Sequence, residues 1–93
     1  MNKKLLDRVN EHRNRVELLG MVIGRCEKAI EEVEHGANIV VDGDIRRISL
    51  EGCHLDDGQE VLMQQLLTGV LRNRMEEAAR ELEMLLPKEE VKE

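Results

Sequence analysis

The chain has 93 residues, of which 41% are hydrophobic and 37% charged, enough for one domain (1–93) and too mixed for a disordered or a membrane-spanning protein. A formal net charge of −6 argues against binding to a nucleic-acid polymer, because neutralising phosphates needs clustered cations. The absence of Phe, Tyr and Trp removes both base stacking and aromatic anchors at a protein interface.

The first element is a long helix over 2–35. Leu5, Val9, His12, Val16, Leu19, Ile23, Cys26, Ile30 and Val33 keep an unbroken 4-3-4-3 spacing, the seam of a helix that packs along its length against another helix. His12 is the one polar member. It either sets register or marks a solvated end of the seam. A second stripe, Leu18, Met21, Val22 and Ala29, widens the apolar surface beyond what one partner helix covers. Gly20 and Gly24, four apart, point either to close packing or to tolerated drift. Gly36 is a helix stop.

Residues 37–55 predict a β-hairpin. Asp42-Gly43 between β-branched residues favours a two-residue turn, which pairs Val41 with Asp44, Val40 with Ile45 and Ile39 with Arg46. Alternation then fails at Ile48 unless Arg46-Arg47 form a bulge that gathers Val40, Ile45, Ile48 and Leu50 on one face. Two strands alone are marginal in water, so the hairpin must pack on helices or on another copy.

A second long helix is expected over 56–86. Asp56 with Gln59, and Asp57 with Glu60, both have capping-box spacing. The seam of this helix runs Leu67, Leu71, Met75, Ala78, Leu82 and Leu85. Val61, Leu62, Met63, Leu66 and Val70 broaden its first half. Pro87 and the charged run to Glu93 predict a frayed tail. Residues 1–15 carry five Lys or Arg against two acids, and residues 76–93 carry seven Glu against three cations. That asymmetry favours antiparallel helices.

Chemistry is sparse. Ser49 and Thr68 are the single residues of their types and sit in no nucleophile or phosphate-loop motif. His12, His35, His54, Cys26 and Cys53 lack metal-ligand spacing, so neither a metal nor a cofactor is expected, and the chain reads as no enzyme. Cys26 lies on the seam as a small core residue. Two distant thiols and a Met1-Asn2-Lys3-Lys4 start without a secretory or membrane segment predict a cytoplasmic protein that binds no membrane.

Arg46 and Arg47 are the best ligand-binding candidates, two guanidinium groups side by side in an acidic chain, suited to a carboxylate or phosphate. Arg72 and Arg74, with Arg25, could join them in an oligomer. The alternative is that they pair with Asp42, Asp44 or Glu51. Val16, Leu19, Ile23, Ile30, Leu67 and Leu71 are expected at the contact between copies. The fold class expected is mainly α: long helix, β-hairpin, long helix, the helices antiparallel and assembling into a homo-oligomeric bundle.

This order of elements, with the hairpin around Ile39–Leu50, is similar to that of beta-type prefoldin subunits, which implies assembly through the hairpin and a chaperone or scaffold role. The lysine-led start, the Asp42-Gly43 turn and the Glu-rich closing helix also resemble small accessory proteins of phages and prophages. That resemblance implies an anti-defence factor that blocks a host protein or sequesters a signalling nucleotide. The function expected is a non-enzymatic oligomeric binding protein whose partners are itself and a host protein or a small anionic nucleotide.

Overall fold

The computed structural model describes residues 2–86. The tail expected to fray lies outside the described residues. Helix α1 spans Lys3–Glu34 and starts where the Asn2 side chain accepts the Lys4 N–H at 2.9 Å. It stops at Gly36, whose φ of 83° lets the chain reverse. The Ala37 N–H then reaches the Glu32 carbonyl at 2.9 Å and the Gly36 N–H reaches Val33 at 3.1 Å, so two carbonyls at the helix end are satisfied together. Helix α2, Asp57–Leu85, opens on the expected capping box: Asp56 Oδ1 accepts the Gln59 N–H and Gln59 Oε1 accepts the Asp56 N–H.

Between the helices, strands β1 (Val40–Asp42) and β2 (Arg47–Ser49) form an antiparallel two-stranded hairpin. Its register differs from the one expected. Val40 opposes Ser49, Val41 opposes Ile48 and Asp42 opposes Arg47, so the connection is the four residues Gly43 to Arg46, closed by the Gly43 N–H on the Arg46 carbonyl at 2.8 Å. The reason lies in the cross-strand pairs. The two-residue turn would oppose Ile39 to Arg46 and Val41 to Asp44. The observed register opposes Val41 to Ile48 and Asp42 to Arg47, pairs worth roughly 0.2–1 kcal/mol each, and leaves only Val40 against a polar residue, Ser49. No bulge at Arg46-Arg47 is needed, and the single apolar face of Val40, Ile45, Ile48 and Leu50 does not form. Val40 and Ile48 fall on opposite faces, and Ile45 sits in the loop, 90% exposed.

A 3₁₀ turn over Leu50–Cys53 replaces the end of the predicted second strand. Ser49 caps it by accepting the Glu51 N–H at 3.3 Å, and His54, at a left-handed φ of 50°, ends it. Ser49 also donates to Asn38 Oδ1 at 2.9 Å, which ties the base of the hairpin together.

The helices pack against each other as an antiparallel pair. The core is small: Leu19, Cys26, Ile30, Val33 and Ala78 are buried, with Thr68 beside them. The Thr68 hydroxyl donates to the Gln64 carbonyl at 2.8 Å, so it enters the core with its hydrogen bond made. Every expected α2 seam residue, Leu67, Leu71, Met75, Ala78, Leu82 and Leu85, is buried or half-buried. On α1 the seam is used from Val16 to Val33, whereas Leu5 and Val9 are about half exposed and His12 is exposed, the solvated end of the seam.

Two features fix the register of the pair. Val33 shares a groove with Gln64, Gln65 and Thr68, and Arg15 pairs with Glu81. With the Glu34–Arg72 pair at the other end, these contacts set Leu19 opposite the last two turns of α2, where Ala78, like Leu19, has no exposed surface. By either pair the first turns of α1 extend past Leu86, the last described residue of the chain.

Candidate functional site

The residues singled out for function fall in three places. Val16, Leu19, Ile23, Ile30, Leu67 and Leu71 all lie on the seam between α1 and α2 of one chain. Leu19 and Ile30 are buried there and the other four are half-buried. Val16, Ile23, Leu67 and Leu71 each keep part of their surface exposed beside that seam.

Arg72 and Arg74 lie on α2, where two residues of advance turn about 200°, so they leave the helix on nearly opposite sides. Each already has a partner. Arg72 Nη2 donates to Glu34 Oε2 of α1 at 2.7 Å, and Arg74 lies 3.8 Å from Glu77 one turn on. Arg46 lies in the hairpin loop and Arg47 opens β2, both exposed. Within one chain the four arginines therefore make no common site. Among the described residues neither Arg46 nor Arg47 makes an ion pair with Asp42, Asp44, Glu51 or any other carboxylate. Asp42 faces Arg47 across the strands in register without closing to an ion pair.

A groove of about 330 Å³ opens at the base of the hairpin, lined among others by Ile39, Leu50, Glu51, Leu55, Glu60 and Met63. Its two carboxylates and the absence of a cation suit it poorly to a phosphate. The second groove, between the end of α1 and the start of α2, holds Arg72 beside Glu34 and so offers no unpaired cation.

The strongest surface ion pair was not foreseen residue by residue, though the charge asymmetry of the two chain ends pointed to it. Arg15 Nε and Nη2 donate to the two carboxylate oxygens of Glu81 at 2.5 and 2.7 Å, a two-pronged contact. The hydrogen bond from Arg15 holds the Glu81 carboxyl below its ordinary 4.5, and Glu81 in turn raises the Arg15 guanidinium. A lowered carboxyl stabilises the fold above the unfolded value and loses that contribution as pH falls through the folded one. Glu81→Gln is expected to lower the melting temperature at pH 7 by a few degrees at most, since both groups face solvent. In parallel melts at pH 7 and pH 3 that difference is expected to shrink at the lower pH, as protonation of Glu81 weakens the pair.

The glycine pair on α1 draws no neighbour. A Cβ at Gly20 or Gly24 would meet nothing within 4 Å, so nothing packs close to the helix there within the chain. No helix of the described residues is long and apolar enough to cross a membrane. Comparison with protein-family models, with curated proteins and with solved structures finds no match to this chain.

Proposed function

We propose that this chain is a non-enzymatic binding protein, assembled with itself, that occupies its partner through Arg46 and Arg47. The observation that carries the reading is the state of those two side chains. They are exposed side by side on the hairpin and make no ion pair among the described residues; Arg8, Arg13, Arg25 and Arg80 on the helices are also exposed and unpaired, but none of these adjoins another arginine. Two adjacent guanidinium groups without internal acids present a fork suited to carboxylates or phosphates.

Neither groove is lined by Arg46 or Arg47, which favours the acidic surface of a host protein over an enclosed nucleotide. Sequestration of a nucleotide then requires the hairpins of two copies to meet. In the phage-type setting that the resemblance implies, the protein acts by blocking a host target at a fixed molar ratio.

The test is the double variant Arg46→Ala/Arg47→Ala. It is expected to lose partner binding at least tenfold, read by titration calorimetry against the host target and against linear and cyclic nucleotides. Far-ultraviolet circular dichroism is expected to stay unchanged, because both side chains lie outside the core. A loss of the helical signal would make their role structural pairing.

A second reading, a prefoldin-like chaperone or scaffold subunit, draws support from the open end of α1. Leu5, Leu6 and Val9 are 46–52% exposed there. It is separated by the same variant, since client binding through an apolar helix end would survive the loss of both arginines.

A further inference from the structure

The Cα atoms of the molecule span 60 × 41 × 15 Å, with a radius of gyration of 19.2 Å. A compact chain of this length has a radius near 12 Å. The hairpin strands pack on each other and on the 3₁₀ turn, not along the helices, so no element of the described residues covers either broad side of the α1–α2 pair.

The two broad sides differ in kind. At about 100° per residue, Leu18, Val22 and Ala29 lie some 90° from the α1 seam, on one side of the layer. On α2, Leu66 and Val70 lie about 100–140° from its seam, in the same rotational sense. Because the helices run antiparallel, the same sense carries both sets to the same broad side. The ion pairs agree with this assignment: Arg15 and Glu81 lie on that side of the seam, and Glu34 and Arg72 on the other. The apolar side therefore gathers Leu18, Val22 and Ala29 from α1 with Leu66 and Val70 from α2. Leu18 is 44% exposed, Leu66 58% and Val70 66%. The opposite side carries Glu27 and Glu31 of α1 and Gln65, Arg72 and Glu76 of α2, with Gly20 among them.

We infer that a second copy of this chain covers the apolar side, the two layers packing face to face into a four-helix dimer. The inference rests on the self-assembly part of the reading above and names the face that assembly uses. The area supports it. The chain exposes 8166 Å². A compact monomer of its mass exposes roughly 5,500 Å². The excess is spread over the hairpin, the chain ends and both broad sides, and it is large enough to include the ~800 Å² that each partner contributes to a standard interface. A second copy suits the chemistry, because a flat aliphatic face without aromatic anchors is complemented by another of the same kind, as a two-fold contact requires. The tail is a poor cover, since residues 88–93 contain Val91 among five charged residues.

The experiment is light scattering coupled to size exclusion on the full chain, with circular dichroism alongside. The wild type is expected at twice 10.7 kDa at micromolar concentration. Leu66→Glu/Val70→Glu is expected to raise the dimer dissociation constant at least ~100-fold and give a helical monomer, because carboxylates would be buried unpaired at the contact. Leu18→Glu, on the other helix of the same face, is expected to do the same, which guards against a double variant that fails to fold. Gly20→Ala, on the polar side, is expected to leave the dimer intact. A wild-type monomer overturns both this inference and the self-assembly reading. An oligomer that survives Leu66→Glu/Val70→Glu and Leu18→Glu but dissociates with Gly20→Ala overturns the face alone.

Discussion

Leu19→Asp is expected to leave the chain unfolded at neutral pH and 25 °C, with the helical signal in the far-ultraviolet lost and no cooperative melt. Leu19 has no exposed surface, and it sits in a core of five buried apolar side chains. A domain of this size has a stability on the order of 5 kcal/mol, and a core this small places it at the lower end. Burying an unpaired carboxylate costs several kcal/mol before the lost apolar contacts are counted. No cation of the seam is placed to pair with it, since Arg15 is engaged by Glu81. Ile23→Asp, one turn along the same seam, is expected to be milder, because Ile23 is only half-buried and an aspartate there reaches water. Circular dichroism with urea titration checks both. A cooperative transition of wild-type midpoint for Leu19→Asp would show that the seam does not carry the fold.

The helices and their facing residues were legible because they are periodic and capped. Asp56 with Gln59, and Gly36 after His35, mark ends that the backbone hydrogen bonds then follow. The heptad spacing told which side chains face a helix. It did not tell whose helix, since Leu19 and Ile30 meet the same kind of surface within a chain or between chains. The hairpin was legible as an element but not in register. Asp42-Gly43 satisfies a tight turn locally, and the choice fell to cross-strand pairs such as Val41 with Ile48, which a turn rule does not weigh. The 3₁₀ turn at Leu50–Cys53 is too short to show a period, and its one signal was Ser49 at a cap position before Gly52. For the candidate site, the sequence placed Arg46 and Arg47 on the hairpin. Whether they would pair internally was not readable, because exposed ion pairs are worth about 1 kcal/mol or less and side-chain geometry decides them.

A swap across the seam tests the antiparallel register. Leu19→Ala alone is expected to destabilise by about 3–4 kcal/mol, the range for emptying a fully buried leucine site. Ala78→Leu alone is expected to cost about 1–3 kcal/mol, because a larger side chain at a position with no exposed surface forces the helices apart. If Leu19 and Ala78 face each other, the double variant moves the same volume from one helix to the other and refills the space it empties. Its loss is expected to be at least about 1 kcal/mol smaller than the two single losses together, a coupling that residues out of contact do not show. Urea unfolding of the four proteins measures it directly, at one protein concentration because assembly adds to apparent stability. Simple additivity would mean that Leu19 and Ala78 are buried by different neighbours. Leu82, one turn on, would then be the α2 residue that Leu19 meets. Such a shift would slide Leu66 and Val70 along the axis relative to Leu18 and leave all three on one broad side, so the coupling decides which residues meet across the seam, while the face assigned to the second copy is decided by its own variants.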